Sequence, residues 1–217
     1  MSRQFQTIAE QIYQTLRGDI FAQRLRFGEK ITTKELQEKL GASSTPIREA
    51  LTRLQKDGLI VAQPNVGMRV VSYTRKDVLD IYTLMTELDT VALRLACAGG
   101  KCAAMTAQLQ EVQAQAVKLL MRGDVAGWEE LSDEFHTIFY RYSDNSRLSD
   151  AANKTRSQMT VFTYAYQQEE TNREEIQYQH DAVVHCLEVG DVPAAEEALR
   201  RHFASSIEKA LRALPEE

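Results

Sequence analysis

The stretch from Thr32 to Tyr73 constrains this chain most, because its start and stop signals indicate two helices and a hairpin in a fixed order. Thr32 followed by Glu35 has the spacing of a capping box, in which a hydroxyl and a carboxylate satisfy backbone N–H groups at the start of a helix. Gly41 is the residue type that ends helices in the left-handed conformation. The first helix of the stretch is therefore expected between Thr32 and Gly41.

A second helix is expected to start at Thr45-Pro46, because a hydroxyl N-cap followed by proline at the first helical position is a common helix start. Its apolar residues recur at intervals of three and four, which turns one face inward: Ile47, Ala50, Leu51 and Leu54. Asp57-Gly58 ends this helix. Two short runs rich in β-branched residues follow, at 59–61 and 68–71, and predict a hairpin around the Pro-Asn-Val-Gly turn at 64–67.

Two helices joined by a short turn form a helix-turn-helix, whose second helix can enter the DNA major groove. The following hairpin makes the unit a winged helix. Arg48 and Arg53 lie off the buried stripe and are candidates for contact with DNA. The competing interpretation is that any small unit of two helices and a hairpin shows this pattern, with both arginines merely solvated. The agreement of caps, turn, proline and hairpin favours DNA binding.

The net charge of −5 hides an asymmetry between the two parts of the chain. Residues 1–72 carry 11 Lys and Arg against 7 Asp and Glu, a net charge of +4, whereas residues 73–217 carry 15 against 24, a net charge of −9. Binding to phosphates requires a local positive face, and the winged helix is the basic part. We expect a DNA-binding domain over 1–72 and a second domain over 73–217.

The remaining segments read as helices. Before the winged helix, apolar residues recur at intervals of three or four and predict an amphipathic helix: Phe5, Ile8, Ile12, Leu16 and Ile20. After residue 73 we find six helical patterns, no strand signal and no internal repeat. The expected fold is mainly α, with an N-terminal winged helix-turn-helix and a C-terminal antiparallel all-α bundle of about six helices.

Cysteine use and hydropathy predict the compartment. Cys97, Cys102 and Cys186 give an odd count without framework spacing, which suits a reducing cytoplasm. No apolar run approaches the ~18 residues of a membrane span. We therefore expect a soluble cytoplasmic protein without a membrane partner.

Three of the four histidines lie on the apolar stripes of three different helices: His136, His180 and His202. Burying an imidazole without a partner is unfavourable, so three inward histidines need a shared explanation. Convergence on one divalent metal ion, such as zinc or nickel, supplies it. The competing interpretation makes each a core residue bonded to a carbonyl or hydroxyl group. The fourth histidine, His185, is given no role.

Residues 44–60, STPIREALTRLQKDGLI, and residues 65–70, NVGMRV, resemble the signature of the GntR family of bacterial transcription regulators. The resemblance implies that the recognition helix and wing contact operator DNA through Lys34, Ser43, Ser44, Thr45, Arg48 and Gly67, to which we add Arg53 and Arg69 from the same elements. Two positions depart from the family pattern. Ser44 stands where arginine is usual, and Val66 where an arginine often precedes the wing glycine, so these two contacts are expected to be weaker.

The segments LSDEFH (131–136), QHDAVVHCLEVGD (179–191) and AAEEALRRHF (194–203) resemble the FCD domain of the FadR-type subgroup. Many such domains bind a metal through three histidines and an aspartate four residues before the first. Here that aspartate position holds Ser132, and the adjacent Asp133 is a further candidate ligand. The resemblance also implies a small organic acid or related metabolite as effector. Its pocket would include Ser132, Arg156 and Tyr164, with Tyr166 and Arg173 as additional candidates to orient it.

The predicted function is that of a homodimeric transcription regulator, a repressor, whose operator affinity is controlled by a carboxylate effector in a metal-containing pocket. Two alternatives remain open at this point. The metal ion itself could be the effector, or the three histidines could belong to a metalloenzyme. The enzyme alternative lacks an HExxH motif and leaves residues 32–73 without a purpose.

Overall fold

The computed structural model describes residues 7–64 and 67–214, which form nine helices and three strands. The DNA-binding part contains α1 (Ile8–Phe21), β1 (Lys30–Ile31), α2 (Thr33–Leu40), α3 (Ser44–Lys56), β2 (Ile60–Gln63) and β3 (Gly67–Val70). The bundle contains α4 (Arg75–Ala98), α5 (Cys102–Met121), α6 (Val125–Ser143), α7 (Ser146–Gln167), α8 (Glu170–Glu188) and α9 (Val192–Ala213). The predicted fold class is therefore confirmed.

Helix α2 begins and ends where the sequence predicts. The Thr32 hydroxyl accepts a hydrogen bond from the backbone N–H of Glu35 at 3.2 Å, and Gly41 is left-handed with φ of 63°. The expected reciprocal half of the capping box differs. The Glu35 carboxylate accepts a bond from the Thr32 hydroxyl at 2.7 Å instead of from the backbone.

Helix α3 begins earlier than predicted, so the proposed N-cap at Thr45 is wrong. The helix starts at Ser44, with Ser43 as the N-cap residue. Pro46 is accommodated within the first turn because the N–H groups there have no partner inside the helix.

The sheet has the strand order β1-β3-β2, with both pairs antiparallel. Strand β1 was not predicted, because two residues are too short to show an alternating pattern. Asn65 and Val66 lie outside the described residues, as does Phe5, so the predicted turn and these side chains are not described. Ile8, which was expected to be buried, is 61% exposed at the start of α1.

Each part of the molecule has its own core. Helices α1 and α3 pack together through Leu16, Ile20, Ile47 and Leu54, each at most 1% exposed. The largest buried side chains of the bundle come from α4, α6 and α9: Tyr82, Trp128, Phe135, Phe139 and Phe203. Apart from Ile8, the described apolar positions at three- and four-residue spacing in α1 and α3 thus lie on packed faces.

Helix α7 joins the two parts. Val161 on α7 is buried in the core of the winged helix. One residue further, Phe162 packs edge-on against Tyr73 with ring centroids 5.0 Å apart, and Phe27 lies against both rings. The Tyr73 hydroxyl donates to the Gly58 carbonyl at 3.2 Å. An aromatic cluster therefore connects the DNA-binding part to the bundle.

Cys97 and Cys102 form a disulfide across the turn between α4 and α5, a pairing that the odd cysteine count did not predict. Cys186 is free. Within the described ranges, no helix combines the length and the apolar character needed to cross a membrane.

Candidate functional site

The three stripe histidines converge in the bundle core, from α6, α8 and α9. His136 is 5% exposed, His180 1% and His202 5%. Their ring centroids are 4.7 to 5.3 Å apart. One ligand atom of each lies within 4.8 Å of the others. Side chains far apart in sequence thus form one compact group of nitrogen atoms.

The hydrogen bonds of this group leave one buried nitrogen without a partner. The Nδ1 atom of His136 is 2.5 Å from Oδ2 of Asp89, and Nδ1 of His202 is 2.9 Å from Oε1 of Gln179. The buried Nε2 atom of His180 has no hydrogen-bond partner among the described residues. A buried polar atom without a partner is unfavourable, so this atom fits a role as a metal ligand.

The surroundings of His180 and His202 favour the neutral form of these two imidazoles. Burial lowers the pKa of His180 well below its ordinary value, and the neighbouring His202 and His136 lower it further. Burial likewise lowers the pKa of His202, with His136 as the second cause. Metal ions bind neutral imidazole. The Phe135 ring also stacks on His180 at a centroid distance of 3.9 Å, which fixes the orientation of that imidazole.

Asp89 on α4 is a candidate site residue that the sequence analysis missed. Its carboxylate is fully buried and bonds to His136, to the Tyr140 hydroxyl and, at 3.3 Å, to Arg156. A signal was available, because Asp89 stands in step with the buried residues Met85 and Ala92. A lone carboxylate on such a stripe needs partners inside the core.

The two candidates adjacent to His136 have different positions. Ser132 is 6% exposed, one turn before His136, and lines the cavity beside the histidines. Asp133 lies outside the histidine group. Its side chain is 53% exposed and bonds to Nη1 of Arg156 at 3.2 Å. The rotation of about 100° per helical residue explains the difference.

A cavity of about 270 Å³ opens beside the histidines. Helices α4, α6, α7, α8 and α9 line it, together with α1 of the winged helix. Its lining includes Ser132, Arg156, Tyr164 and Tyr166 of the expected pocket residues. Arg173 has another role, since its Nη1 atom donates to the carbonyls of Gln167 and Gln168 at the end of α7. The volume suits a small metabolite, because sites for drug-sized ligands hold roughly 300–1,000 Å³.

Arg156 is the buried cation of this cavity, at 7% exposure. It forms ion pairs with Asp89 at 3.3 Å and Asp133 at 3.2 Å. Burial acts to lower its pKa, but these two carboxylates outweigh burial and the pKa is raised. Arg156 is therefore charged, although its charge is already shared between two partners.

The predicted DNA-contacting residues divide into two groups. The first group is exposed on α2, at the start of α3 and at the wing: Lys34, Ser43, Thr45, Arg48 and Gly67. Ser44 is half-buried. No ion pair involves Arg48 within the described part of the chain. These exposed positions remain candidates for contact with DNA.

Arg53 and Arg69 instead have partners within the winged helix. Arg53 pairs with Glu10 of α1, and its guanidinium lies 3.8 Å from the centroid of the Tyr13 ring. Arg69 donates to the Gly28 carbonyl at 2.6 Å and to Gln63 at 2.9 Å. Both side chains hold neighbouring elements together, which leaves them less free to reach a phosphate.

Comparisons with known proteins find one family match in each part of the chain. Residues 8–70 match the sequence profile of the bacterial regulatory proteins of the gntR family, and residues 80–205 match that of the FCD domain. A probable D-xylose utilization operon transcriptional repressor of Paenarthrobacter nicotinovorans is 30% identical over 203 residues, covering 92% of this chain and 87% of that protein.

Two further proteins are similar over nearly the whole length. The HTH-type transcriptional repressor RspR of Escherichia coli strain K12 is 24% identical, and the match covers 98% of this chain and 92% of RspR. The solved structure of E. coli McbR/YncC superimposes with a TM-score of 0.75 at 21% identity, covering 96% of this chain and 99% of the other. The latter likeness concerns the fold.

Proposed function

Because this chain belongs to the GntR family of bacterial regulatory proteins, with an FCD domain as its second part, we propose that a small organic acid controls its binding to DNA. The protein is a DNA-binding transcription regulator, and its relatives are regulators, which sets the metalloenzyme alternative aside. The proposal adds the effector class, the metal dependence, the dimer and the sign of regulation, which is repression. Its site of action is bacterial DNA, so the compartment is the cytoplasm.

The observation that carries this proposal is the contact between the histidine group and the cavity. His136 and His202 line a space of about 270 Å³, and the Nε2 atom of His180 nearby is buried without a partner. A purely structural core would satisfy this atom or replace the residue. A buried imidazole nitrogen without a partner, next to a cavity, is expected of a binding site.

His136, His180 and His202 would hold a divalent ion, zinc or nickel, through nitrogen atoms. Such an ion supplies a Lewis-acidic docking point for a carboxylate oxygen. The protein's own residues do the rest. Asp89 and Gln179 fix the rings of His136 and His202 from behind, and Arg156 places a positive charge in the cavity wall. Ser132 and Tyr164 add hydroxyl groups to the lining.

Operator contact follows from the exposed surface of the winged helix. Arg48, Ser43 and Thr45 at the start of α3 would face the major groove, and Lys34 and Gly67 would contact the backbone or the adjacent groove. In a dimer, two such surfaces would meet half-sites about 34 Å apart if one helical turn separates them. An effector that favours another spacing of the two surfaces lowers operator affinity, by about 5- to 150-fold for a typical coupling free energy.

The test is an operator-binding titration by fluorescence anisotropy, with DNA selected from random sequence by the protein itself. Protein loaded with zinc, loaded with nickel or stripped by a chelator is compared, each with and without a panel of small carboxylates. The proposal expects a carboxylate that changes operator affinity at least fivefold only in metal-loaded protein. A response to metal alone, with no carboxylate effect, would make the ion the effector. Equal behaviour of loaded and stripped protein would refute the metal-dependent site.

A further inference from the structure

From the lining of the cavity we infer that Arg17, on α1 of the winged helix, binds a second acidic group of the effector, so that the preferred effector is a dianion that bridges bundle and DNA-binding part. This inference rests on the proposed function, because it concerns the same cavity. It specifies that the effector carries two negative charges. It also explains how an effector bound in the cavity would act on the winged helix.

The cavity is not closed by the bundle alone. Arg17 and Phe21, one helical turn apart on α1, form part of its wall. On the bundle side, His136, His202 and Arg156 form another part of the lining. A ligand that occupies the cavity therefore contacts both parts of the protein.

The guanidinium group of Arg17 has hydrogen-bonding capacity that the described residues do not use. Its Nε atom is buried and has no hydrogen-bond partner among the residues the structure describes. No ion pair between Arg17 and a described carboxylate is formed. Its guanidinium carbon lies 4.6 Å from the centroid of the Phe21 ring, which holds the planar group in place. Planar guanidinium groups favour two-point binding of carboxylates.

The carboxylates that line the cavity do not pair with Arg17. Glu129 and Glu130 line the same cavity, and among the described residues neither forms an ion pair with Arg17; the Glu129 carboxylate accepts a hydrogen bond from Gln168 at 3.0 Å. Asp133 is paired with Arg156. The charge of Arg156 is compensated in this way, whereas that of Arg17 is not, so a second anionic group gains most from contact with Arg17.

Helix α7 connects the cavity to the core of the winged helix. Its residue Val161 is buried in the winged-helix core, and Tyr164 both packs against that core and lines the cavity. A dianion held at both ends would stabilise the arrangement in which α1 lies against α7. Operator binding then changes to the extent that it needs a different arrangement of α1.

The experiment uses full-length, zinc-loaded protein and isothermal titration calorimetry. The probes are dicarboxylates from malonate to adipate and the monocarboxylates with the same number of carbon atoms. The variants are Arg17→Met, which keeps length without charge, and Arg17→Lys, which keeps charge without the planar fork. Arg26→Met is the matched control, because it removes an exposed cation from the same segment. Zinc content and thermal unfolding confirm that each variant is folded.

We expect the wild type and Arg26→Met to bind the best dicarboxylate about tenfold or more tightly than its monocarboxylate counterpart. In Arg17→Met this preference disappears while monocarboxylate affinity is kept, and Arg17→Lys retains part of it. An unchanged preference in Arg17→Met, or a wild type that does not distinguish the two classes, overturns the inference alone. A zinc-loaded wild type that binds neither class overturns the carboxylate effector of the proposed function, and the inference with it. Should Arg17→Met fail to fold, a dicarboxylate preference in Arg17→Lys equal to that of the wild type overturns the inference.

Discussion

His136 donates a hydrogen bond from Nδ1 to Oδ2 of Asp89 across 2.5 Å, and this pairing joins α6 to α4 inside the bundle. It directs the other ring nitrogen of His136 away from Asp89. A carboxylate in this position also raises the basicity of a ligating imidazole. Asp89 is therefore expected to act on the metal through His136.

Replacing Asp89 by asparagine should weaken zinc binding by about 10- to 100-fold, because an amide holds the imidazole less firmly and without charge. Competition titration with a chromophoric chelator measures the affinity. Asp133→Asn is the matched control, since Asp133 also bonds to Arg156 but is half exposed and lies outside the histidine group. If both variants bind zinc like the wild type, the assigned role of Asp89 is wrong.

His180→Ala should abolish metal retention, because His180 is the most buried of the three imidazoles and its Nε2 atom is the unpartnered one. Basal operator affinity should stay within about twofold, since no DNA-contacting residue changes. Emission spectrometry of the purified protein measures the metal content. The control is His185→Ala on the same helix, whose side chain is 75% exposed. Equal metal content in wild type and His180→Ala would refute the site.

The inward position of the three histidines was predictable from sequence, whereas the signal for Asp89 was weaker. His136, His180 and His202 each interrupt a strong apolar stripe, and helical periodicity alone places them inward. The partner of a buried histidine depends on which helices are neighbours, and the sequence pattern does not fix that packing. Asp89 stood on a stripe as well, but the neighbouring Leu88 and Val91 made another face of α4 look equally apolar.

Arg48→Ala should weaken operator binding by about 1 to 3 kcal/mol at matched salt concentration, because Arg48 is exposed on the first turns of the recognition helix. Arg53→Ala should have a smaller effect on DNA binding, since Arg53 is paired with Glu10. Electrophoretic mobility shift titrations at several salt concentrations separate the two. Arg141→Ala, which removes an exposed arginine of the bundle, is the control. An operator affinity of Arg48→Ala equal to that of this control would contradict the assigned surface.

Local sequence signals predicted the helices of the winged helix better than they predicted the start of α3 and the pairing of β1. Thr32 and Gly41 bound α2 as expected, because caps act within a few residues. The N-cap of α3 lies at Ser43 and not at Thr45, since proline is tolerated anywhere in the first turn and does not define the cap by itself. Strand β1 exists only because Lys30 and Ile31 find Arg69 and Met68 across the sheet. Such non-local pairings leave no periodic trace in a two-residue segment.

The contact between Gly58 and Gln158 offers a test of how closely the two parts are coupled. Gly58 has a φ of 76°, and a Cβ atom there would lie 2.6 Å from Nε2 of Gln158 on α7. Gly58→Ala should therefore lower the free energy of unfolding for two reasons. The left-handed backbone contributes about 1–2 kcal/mol, and displacing Gln158 adds a further loss. Gly41→Ala is the matched control, because Gly41 has a φ of 63° and nothing within 4 Å of its added Cβ atom.

Chemical denaturation of Gly41→Ala, Gly58→Ala, Gln158→Ala and the double variant Gly58→Ala/Gln158→Ala measures these contributions. We expect Gly58→Ala to be the less stable of the two glycine variants. The double variant should be less destabilised than the sum of its single changes, by about 0.5 kcal/mol or more, because residues in contact do not act additively. Equal losses in Gly41→Ala and Gly58→Ala, with strict additivity in the double variant, would show that α7 does not press on the end of the recognition helix. A coupling of the expected sign would instead show that Gln158 on α7 lies against the end of the recognition helix in solution.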